Sequence, residues 1–159
     1  MIAKFFRING LVQGVGFRPT VYRIATELGL KGEVFNDAEG VGVILEGEAD
    51  QVSRFPTLLR EQTPPLARID FIHPAHVDLN GSTDFPITES QEGKVNTAIT
   101  ADAATCKACL QDMFTPGNRR YRYAFTNCTH CGPRFTITKH LPYDRPQTTM
   151  APFKMCEQC

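Results

Sequence analysis

The chain has 159 residues, 17 Lys and Arg against 17 Asp and Glu, and 42% apolar residues. That composition excludes a wholly disordered, collagen-like or coiled-coil protein, and the length admits one domain or two small ones. No apolar run approaches the roughly 18 residues a membrane span requires, and the opening MIAKFFRING has no secretory apolar core, so a soluble cytoplasmic protein is expected. The formal charge of zero is an average of unlike halves. Residues 1–90 carry 8 basic and 12 acidic groups, whereas residues 91–159 carry 9 basic and 5 acidic ones and all 6 cysteines.

The first half reads as alternating strands and helices. From Lys4 to Val12, Phe6 and Ile8 share one face and Phe5 and Arg7 the other, which predicts a strand with a defined inside. A helix follows over 19–28: Val21, Ile24, Ala25 and Leu28 recur at helical spacing, Pro19 suits the first turn and Gly29 a C-terminal cap. Gly32–Asn36 and Val41–Glu46 then form a hairpin through Asp37-Ala38-Glu39-Gly40. A second helix is expected over 50–62, with Asp50 as N-cap and Val52, Phe55, Leu58 and Leu59 as its apolar stripe. Pro56 predicts that this helix is kinked or starts later, because proline removes a backbone donor. Ala67–Ile72 reads as a last strand, with His73 and His76 flanking it and a weaker extended piece near 85–88.

The order β-α-β-β-α-β fits an α+β, ferredoxin-like unit with two helices on one face of an antiparallel sheet. The polar stretch Ser90–Thr100 places a boundary between a domain at 1–90 and a segment at 91–159.

Two sets of residues carry chemistry. The turn between the first strand and helix holds Gln13, Gly14, Val15, Gly16, Phe17 and Arg18. A glycine-rich strand-to-helix turn aims backbone N–H groups and the positive end of a helix at one point, which attracts an oxyanion, and Arg18 adds a charged fork. Such turns are common, and Asn36 taken alone reads as a hairpin residue bonding its own backbone.

The cysteines form three Cys-x2-Cys pairs, Cys106/Cys109, Cys128/Cys131 and Cys156/Cys159. Two such pairs supply the tetrahedral four-sulfur set that zinc prefers, so Cys106, Cys109, Cys128 and Cys131 are expected to hold a structural zinc contributing on the order of 10 kcal/mol to folding. Disulfides are disfavoured without an export signal, and a thioredoxin-like motif explains one pair but not three. Cys156 and Cys159 read as half of a second zinc site, which predicts a truncated chain whose fourth pair lies beyond residue 159. His130, inside the second pair, is expected to be a neighbour of the metal set or exposed, His73 and His76 are expected to be solvated or internally satisfied, and His140 carries no signal. The run Arg119, Arg120, Arg122 with Tyr121 and Tyr123 raises nucleic-acid binding. Packing against the zinc unit or a further domain is the expected role, since bound thiolates offset much of the local positive charge.

Val12-Gln13-Gly14-Val15-Gly16-Phe17-Arg18, followed by Asn36 in Val34-Phe35-Asn36-Asp37, resembles the acylphosphatase signature. The resemblance implies that the amides of Gln13–Phe17 and Arg18 hold the phosphate of an acyl phosphate, while Asn36 positions the attacking water and no metal is needed for the reaction. Asp102–Cys106, Arg119–Tyr123, Thr126–Phe135 and Leu141–Pro146, together with Pro64–Asp70, extend the likeness. Over nearly its whole length the sequence resembles the N-terminal part of the carbamoyltransferase family that matures NiFe hydrogenases. There an acylphosphatase-like domain and zinc-finger-like segment precede domains that use ATP to make carbamoyl-adenylate. They pass the carbamoyl group to the C-terminal cysteine of a partner protein, where it becomes the cyanide ligand of the metal site. The resemblance implies carbamoyl phosphate as substrate and zinc as structural metal, with ATP used only in domains this chain lacks. Two other functions remain open on the sequence: a free-standing acylphosphatase with a zinc module, and a zinc-dependent binding module.

Overall fold

The computed structural model describes residues 1–90, 99–154 and 157. Strand β1 (Ile2–Leu11), helix α1 (Phe17–Glu27), strands β2 (Lys31–Asp37) and β3 (Gly40–Gly47), helix α2 (Ala49–Glu61) and strand β4 (Arg68–His76) come first, followed by helix α3 (Lys107–Phe114) and short 3-10 turns at Phe135–Ile137 and Arg145–Gln147. The sheet has the order β2-β3-β1-β4, and every neighbouring pair is antiparallel.

Alternation along the strands sorts the faces. Phe6 and Ile8 of β1 and Val41, Val43 and Leu45 of β3 are buried with Val21 and Ile24 of α1 and with Val52, Phe55 and Leu59 of α2 in one apolar core. The reverse face mixes apolar Phe5, Phe35 and Ile44 with charged groups. Arg7 pairs with Asp37, and the buried carboxylate of Glu46 accepts from the backbone amides of Asn80, Gly81 and Ser82 at 3.0–3.2 Å. Burial raises the pKa of Glu46, but these amides and the Ser82 hydroxyl more than offset it and hold the carboxyl below its usual value. The loop at 80–82 is thereby tied to the sheet.

Helix α1 ends as expected. Gly29 is left-handed at φ +67, with its N–H bonded to Thr26 and that of Leu30 to Ala25, which satisfies two terminal carbonyls. The weak extended piece is also present: Ile87 bridges Val34 in parallel, and Thr88 donates to the Val34 carbonyl at 2.9 Å, so residues 84–88 cover the free edge of β2.

Three local expectations need correction. Helix α2 begins after Glu48, not at Asp50, and no side chain caps it. Asp50 lies in the first turn, where its charge still meets the positive helix end. The helix runs through Pro56, held by the fully buried Phe55 and Leu59 on either side. The last strand extends to His76, so His73 and His76 are members of β4, opposite Arg7 and Lys4 of β1.

Between Asn9 and Gly10 the β1–β4 register shifts. Gly10 has φ +133, and a Cβ there would lie 2.1 Å from the Arg68 carbonyl oxygen. Only glycine permits this close approach, and the irregularity falls immediately before the glycine turn that leads into α1.

Candidate active site

The turn between β1 and α1 is anchored by side chains and open in its backbone. Val12, Val15 and Phe17 are at most 1% exposed and belong to the core. Gly14 and Gly16 are left-handed at φ +72 and +79, whereas Val15 and Phe17 are not. Alternation of this kind turns successive N–H groups toward one concavity. Among the described residues, no protein acceptor takes the N–H of Gly14, Val15, Gly16 or Phe17. Helix α1 starts at this point without a side-chain cap, so its unpaired amides add their positive end to the cradle.

Arg18 and Asn36 converge on the mouth of the turn. Arg18 Nη2 lies 3.4 Å from the carbonyl oxygen of Tyr143 and 3.3 Å from Oδ1 of Asp144, while Asn36 Nδ2 donates to the same Tyr143 oxygen at 3.0 Å. Asn36 is 1% exposed. Its Oδ1 is buried and has no partner among the described residues, an unmet acceptor of the kind a small polar molecule satisfies. Burial pulls the pKa of Asp144 upward, but Arg18 and the Ser90 hydroxyl outweigh it and hold the carboxyl below its ordinary value.

Gln13 supports the hairpin as well as the turn. Its amide Nε2 donates to the carbonyls of Asp37 and Gly40, both at 2.7 Å, and its Oε1 accepts from Tyr143 N at 2.8 Å. Its backbone carbonyl accepts from the Thr100 hydroxyl at 3.0 Å.

The cysteine-bearing part forms the opposite wall. A Cβ on Gly14 would lie 3.2 Å from the Tyr143 ring, and one on Gly16 would lie 3.0 Å from Thr129 Cβ. The resulting cleft, about 1150 Å³, is lined by Arg18 and Asn36 on one side and by Arg120, Tyr123 and Arg145 on the other. Arg120 also pairs with Asp112 at 2.6 Å. Arg119, Arg120 and Tyr123 of the basic run line this cleft, whereas Tyr121 and Arg122 are exposed, so the run is not packed away against the cysteine cluster.

The four sulfurs of Cys106, Cys109, Cys128 and Cys131 all lie within 4.8 Å of one another, with neighbours at 3.7–3.8 Å. These spacings are far longer than the roughly 2.05 Å of a disulfide. A tetrahedral zinc with bonds of about 2.3 Å gives edges of about 3.8 Å, so the donor set fits that ion. Burial and the neighbouring thiols push the Cys109 pKa upward. At Cys131 burial also acts upward, but amide and thiol hydrogen bonds bring the pKa down to about 7, favouring one thiolate in the set. His130 is exposed beside this cluster. Cys156 and Cys159, read as a half-site, lie outside the described residues.

Tyr143, Asp144, Thr100 and Arg134 were not anticipated as site residues. Their contacts join positions 87 to 130 residues apart; Arg134, Tyr143 and Asp144 fall in segments that carry the family resemblance, but nothing local assigns them to the site.

Residues 4–87 match the Acylphosphatase family model, and an acylphosphatase of Mannheimia succiniciproducens is 41% identical over 86 residues, which is 54% of this chain and 92% of that protein. The chain belongs to the acylphosphatase family. Its second part, residues 105–138, matches the HypF finger model. Beyond the acylphosphatase likeness, the chain is 53% identical over 156 residues to Carbamoyltransferase HypF2 of Cupriavidus necator, covering 94% of this chain and 19% of that protein. The crystal structure of full-length HypF in the phosphate- and nucleotide-bound form superposes with a TM-score of 0.96 at 42% identity, over 99% of this chain and 21% of that one. This acylphosphatase-family chain therefore spans about a fifth of the length of the carbamoyltransferases it matches. No helix among the described residues is long and apolar enough to cross a membrane.

Proposed function

We propose that residues 1–90 bind an acyl phosphate, carbamoyl phosphate, and hydrolyse it to carbamate and phosphate. Thr100, Arg134, Tyr143 and Asp144 of the second part close the site, and its Cys106, Cys109, Cys128 and Cys131 carry structural zinc. The observation that carries this reading is the meeting of an open amide cradle, Arg18 and the unmet acceptor of Asn36 at one mouth.

The phosphate would enter the cradle and replace the Asp144 carboxylate on Arg18. Amides and guanidinium together neutralise its charge and fix its orientation. Asn36 cannot take a proton, so its work is positional. With Nδ2 given to the Tyr143 carbonyl, Oδ1 is left to accept a hydrogen from a water aimed at phosphorus. The water oxygen forms the new P–O bond as the bond to the carbamoyl oxygen breaks. The electron pair leaves with carbamate and a phosphate oxygen takes the water's proton. Carbamate leaves easily, so orientation and charge neutralisation are sufficient work for the protein.

Zinc, when bound by Cys106, Cys109, Cys128 and Cys131, supplies a rigid cross-link and no reaction step. In the longer protein, the carbamoyl group would be activated with ATP and passed to the C-terminal cysteine of a maturation partner, to become the cyanide ligand of a NiFe hydrogenase. The likeness to the carbamoyltransferases over this chain supports that placement, and four free thiols gathered as a metal set fit a reducing, cytoplasmic setting.

The test is phosphate release from carbamoyl phosphate and from acetyl phosphate by the zinc-loaded chain. Wild type is expected to turn over and Arg18→Ala to lose turnover while remaining folded. Equal turnover by the variant overturns the assignment.

A further inference from the structure

We propose that Arg134 is a positioning residue for the phosphate cradle: by holding the Gly14 carbonyl from behind, it aims the Val15 N–H at the anion and ties the cradle to the metal knuckle. The inference rests on the phosphate-binding reading of the turn.

Arg134 is 5% exposed. Its Nε donates to the carbonyl of Gly14, its Nη2 to that of Cys128 at 2.9 Å, and its Nη1 to that of Pro133 at 2.8 Å. Among the described residues, no carboxylate forms an ion pair with its guanidinium. A buried charge held by carbonyl dipoles alone keeps much of its field, and here that field lies directly behind an open anion cradle. The main chain of Arg134 is also fixed, its N–H donating to Asp102 Oδ1 at 2.6 Å.

Peptide planarity converts this anchor into a direction. In a trans peptide the C=O of one residue and the N–H of the next point to opposite sides. Drawing the Gly14 carbonyl toward Arg134 therefore turns the Val15 N–H away from it. The same device recurs on both sides. Thr100 holds the Gln13 carbonyl and so orients the Gly14 N–H, and Thr20 holds the Gly16 carbonyl through its own N–H at 3.2 Å and its hydroxyl at 3.0 Å, orienting the Phe17 N–H. Two of these three anchors, Thr100 and Arg134, come from beyond residue 90. Glycine at 14 and 16 makes the turn possible but also loose. The contacts from the second part hold it in one form, which lowers the ordering cost of binding.

The experiment uses the zinc-loaded 159-residue chain with inorganic phosphate as probe. In wild type, phosphate should shift the Val15 and Gly14 amide resonances in a 1H–15N titration more than those of the distant helix α2. Arg134→Met should weaken phosphate binding by about tenfold or more, the scale of one charge-assisted hydrogen bond. Metal content should stay at wild-type level, KM should rise, and kcat should change little. Arg134→Lys should recover part of the affinity, which a role confined to folding would not require. Phosphate binding that leaves the Val15 amide unmoved overturns the proposal without any variant, as does an Arg134→Met protein that keeps its metal and binds phosphate as wild type does. If Arg134→Met fails to fold, the wild-type titration alone decides. Absence of phosphate binding by wild type removes the reading of the site itself, and this inference with it.

Discussion

The side-chain amide of Asn36 and the backbone carbonyl of Tyr143 are 3.0 Å apart across 107 positions of sequence. The contact orients the Asn36 amide and leaves its other end buried with nothing to accept from among the described residues. Asn36→Ala should therefore lower kcat for acyl-phosphate hydrolysis by roughly 100-fold, the usual scale for one preorganised polar group. Phosphate affinity should change by less than about threefold, because the proposed role of Asn36 is to hold the water and not the anion. Steady-state kinetics with phosphate inhibition checks both values. A variant that loses affinity but keeps kcat would assign Asn36 to the phosphate instead.

Asp144 acts on the same site with opposite sign. Its carboxylate sits 3.3 Å from Arg18, where a phosphate oxygen would otherwise be. Asp144→Ala removes an internal competitor, so inorganic phosphate should bind about fivefold more tightly at neutral pH, in line with the modest worth of a partly exposed pair. Calorimetric titration of both proteins gives the ratio. Weaker binding by the variant would mean that Asp144 supports the cradle and does not compete with it.

Chelation should act on one part of the molecule. The segment holding the four cysteines has little core of its own, Cys109 and Cys131 being its buried apolar members, so a bound zinc contributes most of its stability. Removing metal is expected to collapse the amide dispersion of residues 105–138 while the resonances of Phe6, Val43 and Phe55 keep their positions. Exposure of four thiols to a thiol reagent should follow the same course. Dispersion of 105–138 that survives complete metal removal would show that the segment folds on its own packing.

Glu46 sets a pH dependence. Its folded pKa lies below the unfolded value, so its contribution is fully present above the ordinary glutamate pKa of about 4.3 and is lost as pH falls through the depressed value. Glu46→Gln should cost about 2 kcal/mol at pH 7, since all three loop amides at 80–82 lose a charged acceptor and the two on Oε2 meet an NH2 group in its place. Thermal unfolding at pH 7 and pH 3 should show a large gap between the proteins at the higher pH and a small one at the lower. A gap that widens in acid would reverse the sign.

Much of the architecture was legible because it is local. Phe6 and Ile8 alternate with Phe5 and Arg7, Gly29 ends a helix, and Cys-x2-Cys spacing places sulfurs on tight turns. Each of these is decided within a few residues, and each is present. The Asp50 cap failed for a local reason as well: β3 ends at Gly47, and the backbone enters the helix through an extended Glu48 with φ −67 and ψ 138, one step earlier than the side-chain chemistry suggested. The site divided differently. The glycine turn, Arg18 and Asn36 could be singled out by motif, but Tyr143, Asp144 and Arg134 reach them from across the chain, and tertiary contact leaves no periodicity in the intervening sequence.

The outer strand of the sheet has a further consequence. β4 carries Pro74 opposite Phe6, with His73, His76 and the Arg68–Asp70 pair around it, and the other margin is already occupied by residues 84–88. A proline offers no donor, and charged or imidazole groups discourage a neighbouring strand from docking. Neither rim of the sheet is therefore a good template for adding a strand from another molecule, which protects the chain against edge-to-edge self-association at high concentration.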